Sequence, residues 1–387
     1  MNRNLVIIII AQFFCTSVWF AGNAVLQDLG TEKGLSADFL LYLVSAVQIG
    51  FISGTLIFAL SGITDRFSPS RIFFLSSIGA AVCNLLLAAN DMGSTAILIS
   101  RFFVGFFLSG IYPVGMKIAA DHFENGLGKS LGFLVGGLVL GTAFPHFIKS
   151  LSISFPWEFV VYTSSGLCIF GGLSLYLLVK DGPYRKPAGK LQFPDFKVLM
   201  RIVPLRKAIL GYWGHMWELY TFWTFIPLLI FQKTSWTSAS ISLYSFCIIA
   251  TGALACAVFG LLSRKTPLDS LAKLALLISC ICCLLFPVFY FFASNAIFIG
   301  YLVIWGFFVV ADSPMFSSLV AMSAPPGSRG SIITFVNSIG FLITVISIQI
   351  TGYLLMQITF IWVWPFLALG PVIGLSQFAK PLNLRKL

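Results

Sequence analysis

The chain has 387 residues, of which 58% are hydrophobic and only 10% charged, with a formal net charge of +11. Soluble domains carry about 25% charged residues, so this composition excludes a water-soluble globular protein and makes lipid the solvent. The positive balance sits in short polar connections, which reads as membrane topology rather than affinity for nucleic acid.

A spanning helix needs about 20 apolar residues. Twelve such segments are expected, at 5–26, 39–61, 70–90, 95–118, 127–149, 159–179, 207–231, 237–262, 270–292, 296–320, 329–356 and 360–379. The first follows Met1-Asn2-Arg3 and is longer than the apolar part of a signal peptide, so it is expected to remain as an uncleaved helix. All Lys and Arg except Lys33, Arg101, Lys149 and Lys233 then fall on the side of the amino terminus. That bias places both termini in the cytoplasm, with basic loops able to touch anionic lipid. The polar stretch 180–206, with Pro183, Pro187, Pro194 and Pro204, divides the segments six and six. The expected organisation is an all-α membrane protein of two pseudo-symmetric six-helix bundles, 1–179 and 207–387, joined by a basic cytoplasmic linker. The eight cysteines all lie within expected spans and read as packing residues. No phosphate-binding loop, metal cluster or nucleophile elbow is visible, so neither an enzyme nor a cofactor is expected.

The two halves repeat each other. Gly62-Ile-Thr-Asp65-Arg66-Phe-Ser68-Pro69 is echoed by Gly260-Leu-Leu-Ser263-Arg264-Lys-Thr266-Pro267. Gly105-Phe-Phe-Leu-Ser-Gly-Ile-Tyr-Pro113 is echoed by Gly306-Phe-Phe-Val-Val-Ala-Asp-Ser-Pro314. Duplicated halves in a membrane protein point to a transporter.

Ionisable residues inside spans are costly and mark function. Four stand out: Arg101, His215, Glu218 and Asp312. His215 and Glu218 are i and i+3 on the seventh span and share a face, with Tyr212 one turn earlier. Glu218 lies about 16 Å beyond Lys207, near the bilayer centre. A carboxyl beside an imidazole can exchange protons near neutrality, so His215 and Glu218 are candidate proton-coupling residues; helix packing is the alternative. Asp312, two residues before Pro314, occupies the place that Ile111 holds in the first half. It is a candidate second proton site, or a carboxylate satisfied by neighbouring hydroxyls. Arg101, where the repeat has Leu302, lies about 9 Å in from the outer end of its span. It reads as a fork for an anionic substrate or as a side chain reaching for headgroups. Gln12, Thr16, Trp19 and Asn23 form one stripe on the first span, expected to line a cavity or to bond neighbouring helices. Tyr212, Trp217 and Asn337 complete the candidate substrate-binding set, Asn337 belonging to a weaker stripe on the eleventh span.

Together these features resemble the major facilitator superfamily over the whole chain. Asp65, Arg66 and Arg71 match the basic motif between the second and third helices, with Ser61 and Ser68 where the family most often has glycines. Arg101-x-x-x-Gly105 is similar to the family's fourth-helix motif. Gly132, Gly136, Gly137, Gly141 and Pro145 are similar to the glycine-rich fifth helix of its antiporters, without the usual Gly-Pro pair. The resemblance implies secondary transport of a small molecule by alternating access, with Asp65, Arg66 and Arg71 as a conformational latch. The chain lacks the Arg residues in the second and eighth helices that mark nitrate-type members. The expectation is a monomeric, proton-coupled transporter of a small polar solute, with Arg101 favouring an anion, in a bacterial inner membrane. The alternatives are a proton-driven efflux antiporter for amphipathic compounds and a non-transporting sensor or scaffold.

Overall fold

The computed structural model describes residues 3–36, 39–90, 92–122, 127–151, 155–185, 195–325 and 328–378. Among them there is no strand. In hydrocarbon a helix satisfies its own backbone polar groups, which is why apolar runs of this length fold this way. The first passage is broken into α1 (Arg3–Thr16), α2 (Ala21–Ala24) and α3 (Leu26–Lys33). α4 (Phe39–Ser61), the single turn α5 (Ile63–Arg66) and α6 (Pro69–Leu85) follow. The fourth passage bends between α7 (Ser94–Leu108) and α8 (Tyr112–His122), and α9 (Leu127–Ser150) and α10 (Glu158–Leu178) come next. A short α11 (Phe196–Arg201) then leads into α12 (Val203–Lys233), α13 (Ser238–Leu262) and α14 (Leu268–Phe292). α15 (Asn295–Ala311) and α16 (Ser313–Ser323) make a second bent passage before α17 (Arg329–Gln357), α18 (Phe360–Val363) and α19 (Leu369–Ser376).

Nine helices among the described residues are long and apolar enough to cross a bilayer. The first passage falls short because a break divides it, and the last because its continuous helical run, Phe360–Ser376, is too short. The 31-residue α12 falls short because His215, Glu218 and its indoles dilute its apolar middle. The stretch expected as linker also orders further than its composition suggests. The Asp195 side chain accepts from the Lys197 N–H at 2.9 Å and caps α11. Pro204 opens α12, where a missing N–H costs nothing. Residues 186–194, with Lys186, Pro187, Lys190 and Pro194, lie outside the described set, as do Lys380, Arg385, Lys386 and the side chain of Lys129.

The second sequence echo corresponds to two matching bends. α7 gives way to α8 around Ser109–Ile111, and α15 gives way to α16 at Asp312. Just before each bend a glycine presses on a neighbouring backbone, Gly105 on Val47 of α4 and Gly306 on Ile248 of α13. A Cβ at either position would collide with a carbonyl that cannot swing away. Helices in lipid associate by such close packing rather than by the hydrophobic effect. Gly105→Ala and Gly306→Ala are each expected to cost about 1–3 kcal/mol, read as a lower unfolding midpoint in detergent. Gly166→Ala, where a Cβ meets nothing within 4 Å, is the control; equal midpoints for all three would show that the crossings tolerate a methyl group.

Two seams join the helices before the linker to those after it. In one, Gly132 and Gly136 of α9 seat against the backbone of α13 at Cys256 and Ala253. In the other, α4 meets α17. Gln349 donates to Leu41 O at 3.1 Å and to Ser45 Oγ at 2.8 Å, and Leu41 packs on Gly352. These contacts lie at the end remote from the linker. There α3 also folds over the loops, through Lys149 to Asp28 at 2.6 Å and Trp157 Nε1 to Glu32 at 2.6 Å. At the linker end the same seam borders a half-open cavity of about 130 Å³ lined by Thr55, Phe58 and Ala59 of α4, Pro113 of α8 and Thr334 of α17, among others.

Candidate functional site

The site begins with the break in the first passage. The Thr16 hydroxyl donates to the carbonyl of Gln12 at 2.8 Å, and the Ser17 hydroxyl to that of Phe14 at 2.7 Å. Such back-bonding competes with the helix ladder and bends it. The carbonyls released by the break are taken by Arg101, whose Nη2 donates to Trp19 O at 2.6 Å and Val18 O at 3.1 Å. Arg101 Nη1 donates to Asn84 Oδ1 at 2.9 Å. Asn84 in turn donates to Ser165 Oγ at 3.0 Å and Ser164 Oγ at 3.2 Å on α10. Arg101 is therefore fully buried, tying α7 to the break, α6 and α10. Its three hydrogen bonds all go to neutral acceptors, and its Nε has none.

The break also undoes the stripe expected on the first span. Gln12 and Thr16 end α1, Trp19 lies in the turn and Asn23 lies on α2, so the four do not share one continuous helical face. Gln12 is completely buried, with its amide against Gly115 of α8 and no hydrogen-bond partner. Thr16 packs against α9, donating to Leu138 O at 3.4 Å. Neither lines an open cavity.

Trp19 instead enters an aromatic cluster that crosses between the two sets of helices. Its ring stacks on Tyr220 of α12 at 5.8 Å and on Phe341 of α17 at 5.9 Å, and leans on Phe51 of α4 at 5.1 Å. Phe51 and Phe341 meet at 4.5 Å, and Trp223 joins through Tyr220 at 5.3 Å. All of these rings are buried. The indole N–H groups of Trp19 and Trp223 and both amide atoms of Asn23 have no hydrogen-bond partner. Asn337, half-buried, lies between Thr334 and Phe341 on the same face of α17.

The two ionisable residues of α12 part company. His215 Nδ1 lies 2.8 Å from Asp312 Oδ1, and both side chains are about 1% exposed. The two groups are in close contact, but neither ring nitrogen of His215 and neither carboxylate oxygen of Asp312 makes a well-aligned hydrogen bond. Asp312 sits at the bend itself, as the residue before α16. Glu218, expected to pair with His215, is held elsewhere. Its Oε1 accepts from Trp305 Nε1 at 2.6 Å and Cys283 Sγ at 3.2 Å, and its Oε2 accepts from the Ser279 hydroxyl at 3.0 Å. A helical i, i+3 pair shares a broad face, but here α15 and α14 offer Glu218 three donors while the α15–α16 bend offers His215 a carboxylate. Trp217 also departs from the expected set. It packs on Gly370 of α19 and donates weakly to Phe366 O at 3.4 Å, away from the aromatic cluster. Tyr212 is buried, its ring 6.0 Å from that of His215 and against Gly340 of α17.

Removing the Glu218 carboxylate strands the buried Trp305 indole and Cys283 thiol, while Ser279 keeps the Leu276 carbonyl at 3.2 Å. Glu218→Ala is expected to cost about 3 kcal/mol, seen as a lower unfolding midpoint, whereas Glu218→Gln keeps one acceptor oxygen for Trp305 and loses much less. Equal losses in both variants would show that charge, not hydrogen bonding, is what this site requires.

The profile of the Major Facilitator Superfamily matches residues 8–348. The chain belongs to that superfamily. It is thus a secondary transporter and not an enzyme. No curated protein sequence matches it. Among solved structures, the human organic anion transporter MFSD10 (TETRAN) superposes with a TM-score of 0.72 at 14% identity, covering 98% of this chain and 100% of that one. At that identity the likeness speaks for the fold.

Within this superfamily member the motif loop between α4 and α6 is fastened by the segment after α10. Ser68 Oγ donates to Asp181 Oδ1 at 2.7 Å, and Arg185 donates to Phe67 O at 2.8 Å and to Asp181 at 3.1 Å. Arg66 and Arg71 are exposed, and the side chain of Asp65 lies outside the described residues. Asp181 and Arg185 were not singled out from sequence, because a lone ion pair in a basic linker has no distinctive pattern. Asn84 was also missed, although a buried amide in an apolar span is the kind of signal that marks a partner for another polar group.

Proposed function

We propose that the protein is a proton-coupled transporter of a small organic anion, working by rocking of its two halves, 1–179 and 207–387, about the seams described above. The observation that carries this reading is the His215–Asp312 pair, 2.8 Å apart and buried at the bend of a helix. A carboxylate and an imidazole sharing one proton are neutral together. Loss of that proton leaves a net negative charge in the membrane interior, which is costly. The pair lies at the joint between α15 and α16, so its protonation state bears on the angle of that joint. Proton binding and helix movement are then two sides of one equilibrium. Arg101, a buried cation without an anionic partner, supports an anion as substrate. Basic loops on the linker end support a cytoplasmic location for that end in a bacterial inner membrane. Residues 180–206 tether the halves, and Asp65, Arg66 and Arg71 act as the conformational latch in the loop that Asp181 and Arg185 fasten through Ser68 and Phe67. In this reading the contacts of Gln349 with Leu41 and Ser45 close the outer side, and the cavity at Thr55 and Thr334 is the start of the inner opening.

The test is reconstitution into liposomes carrying a pH dye, with an imposed pH gradient and a panel of radiolabelled organic anions. A substrate should accumulate in response to the gradient and carry protons with it. Accumulation that ignores the proton gradient would refute the coupling. The efflux reading has its own support in the aromatic cluster, which suits amphipathic compounds. It predicts drug sensitivity of a deletion strain without a defect on any single nutrient.

A further inference from the structure

We infer that the central site takes a substrate combining a flat aromatic ring with a carboxylate, an inference that rests on the reading of the protein as an anion transporter. Two independent observations carry it. The first is the geometry of the rings. Trp19 lies nearly parallel to both Tyr220 and Phe341, at interplanar angles of 26° and 25°. These rings come from both sides of the molecule, so parting the halves separates one stacked face from another. A planar ring of the substrate restores the lost stacking, and a saturated ring does not, because offset stacking depends on the π-system.

The second observation is an excess of unsatisfied donors beside those rings. Trp19 Nε1, Trp223 Nε1 and Arg101 Nε are buried N–H groups without acceptors, and the Asn23 amide is unpartnered as well. Arg101 Nε lies close to Gly22, which directly precedes Asn23. Buried donors without acceptors are rare in proteins and call for an acceptor from outside. A carboxylate supplies two acceptor oxygens and the charge that balances Arg101, whose own hydrogen bonds go only to neutral groups. Arg101 also holds the carbonyl of Trp19, so the anion site and the ring platform are fixed to one break in the first helix.

The test is equilibrium binding to the full-length protein in nanodiscs, with proton uptake on binding followed in weakly buffered solution. Benzoate and 2-naphthoate are compared with cyclohexanecarboxylate, which keeps the charge and loses the π-system, and with benzamide, which keeps the ring and loses the charge. Benzoate is expected to bind at least tenfold more tightly than either. Trp19→Leu should erase the preference for the aromatic ring, and Phe341→Leu on a different helix should do the same if Trp19→Leu fails to fold. Equal affinity for benzoate and cyclohexanecarboxylate overturns the ring, and equal affinity for benzamide overturns the charge. Retention of the preference in both variants, or no binding by any of the four compounds, overturns the assignment. If cyclohexanecarboxylate and benzoate bind equally and both take up a proton, the substrate class fails while proton-coupled anion transport stands. If benzoate binds through Trp19 without taking up a proton, the substrate class stands and the coupling fails.

Discussion

Asp312→Asn is expected to abolish accumulation driven by a pH gradient while leaving exchange of substrate across the membrane largely intact. Asn keeps the shape of the carboxylate and an oxygen beside His215 Nδ1, so the close contact between α12 and the residue before α16 is kept. What is lost is a group that takes up and releases a proton. Accumulation ratios in proteoliposomes should fall at least about tenfold, which corresponds to roughly 1.4 kcal/mol of coupling free energy, while counterflow under equal pH persists. His215→Gln should behave the same way, since the pair needs both partners. Glu218→Gln should keep its coupling, because Glu218 is engaged by Trp305, Ser279 and Cys283 rather than by His215. The decisive reversal would be coupling lost in Glu218→Gln and retained in Asp312→Asn. That result would move the proton site one turn along α12.

Arg101→Leu is expected to be the most damaging single change in the first half. It removes the donors of three buried hydrogen bonds and leaves the carbonyls of Val18 and Trp19 and the amide oxygen of Asn84 without partners. Each stranded acceptor costs about 1–3 kcal/mol, so a loss of at least about 3 kcal/mol is expected. A thiol-reactive dye can follow unfolding, since most of the eight cysteines are buried and none is in a disulfide. Arg101→Lys should recover only part of the loss, because an ammonium cannot span acceptors on two sides as a planar fork does. Unfolding of Arg101→Leu at the wild-type midpoint, with only anion affinity reduced, would show that Arg101 serves the ligand and not the helix break.

The fold was legible from the sequence because lipid imposes a simple rule. Every apolar run of sufficient length must be a helix, so segments such as 39–61 and 329–356 could be placed to within a few residues. The bends were half visible, as the repeated Gly-to-Pro interval at 105–113 and 306–314. The break in the first passage was not visible. It depends on Thr16 and Ser17 turning back on their own carbonyls and on Arg101 arriving from another helix to satisfy what they release. A stripe drawn through Gln12, Thr16, Trp19 and Asn23 assumed a helix that continues. The pairing of His215 with Glu218 failed for a related reason. Helical spacing says which residues share a face, but the partners on that face belong to other helices.

The sequence by itself determined the solvent, the kind of elements, the repeated motifs, and the identity of the four ionisable residues inside spans. Those follow from composition and local spacing, which act along the chain. Only the tertiary structure decided that Asp312 belongs to His215, that Glu218 belongs to Trp305, and that Trp19 faces Tyr220 and Phe341. These contacts join residues far apart in sequence, and they are set by where glycines allow helices to cross and where hydroxyls let them bend.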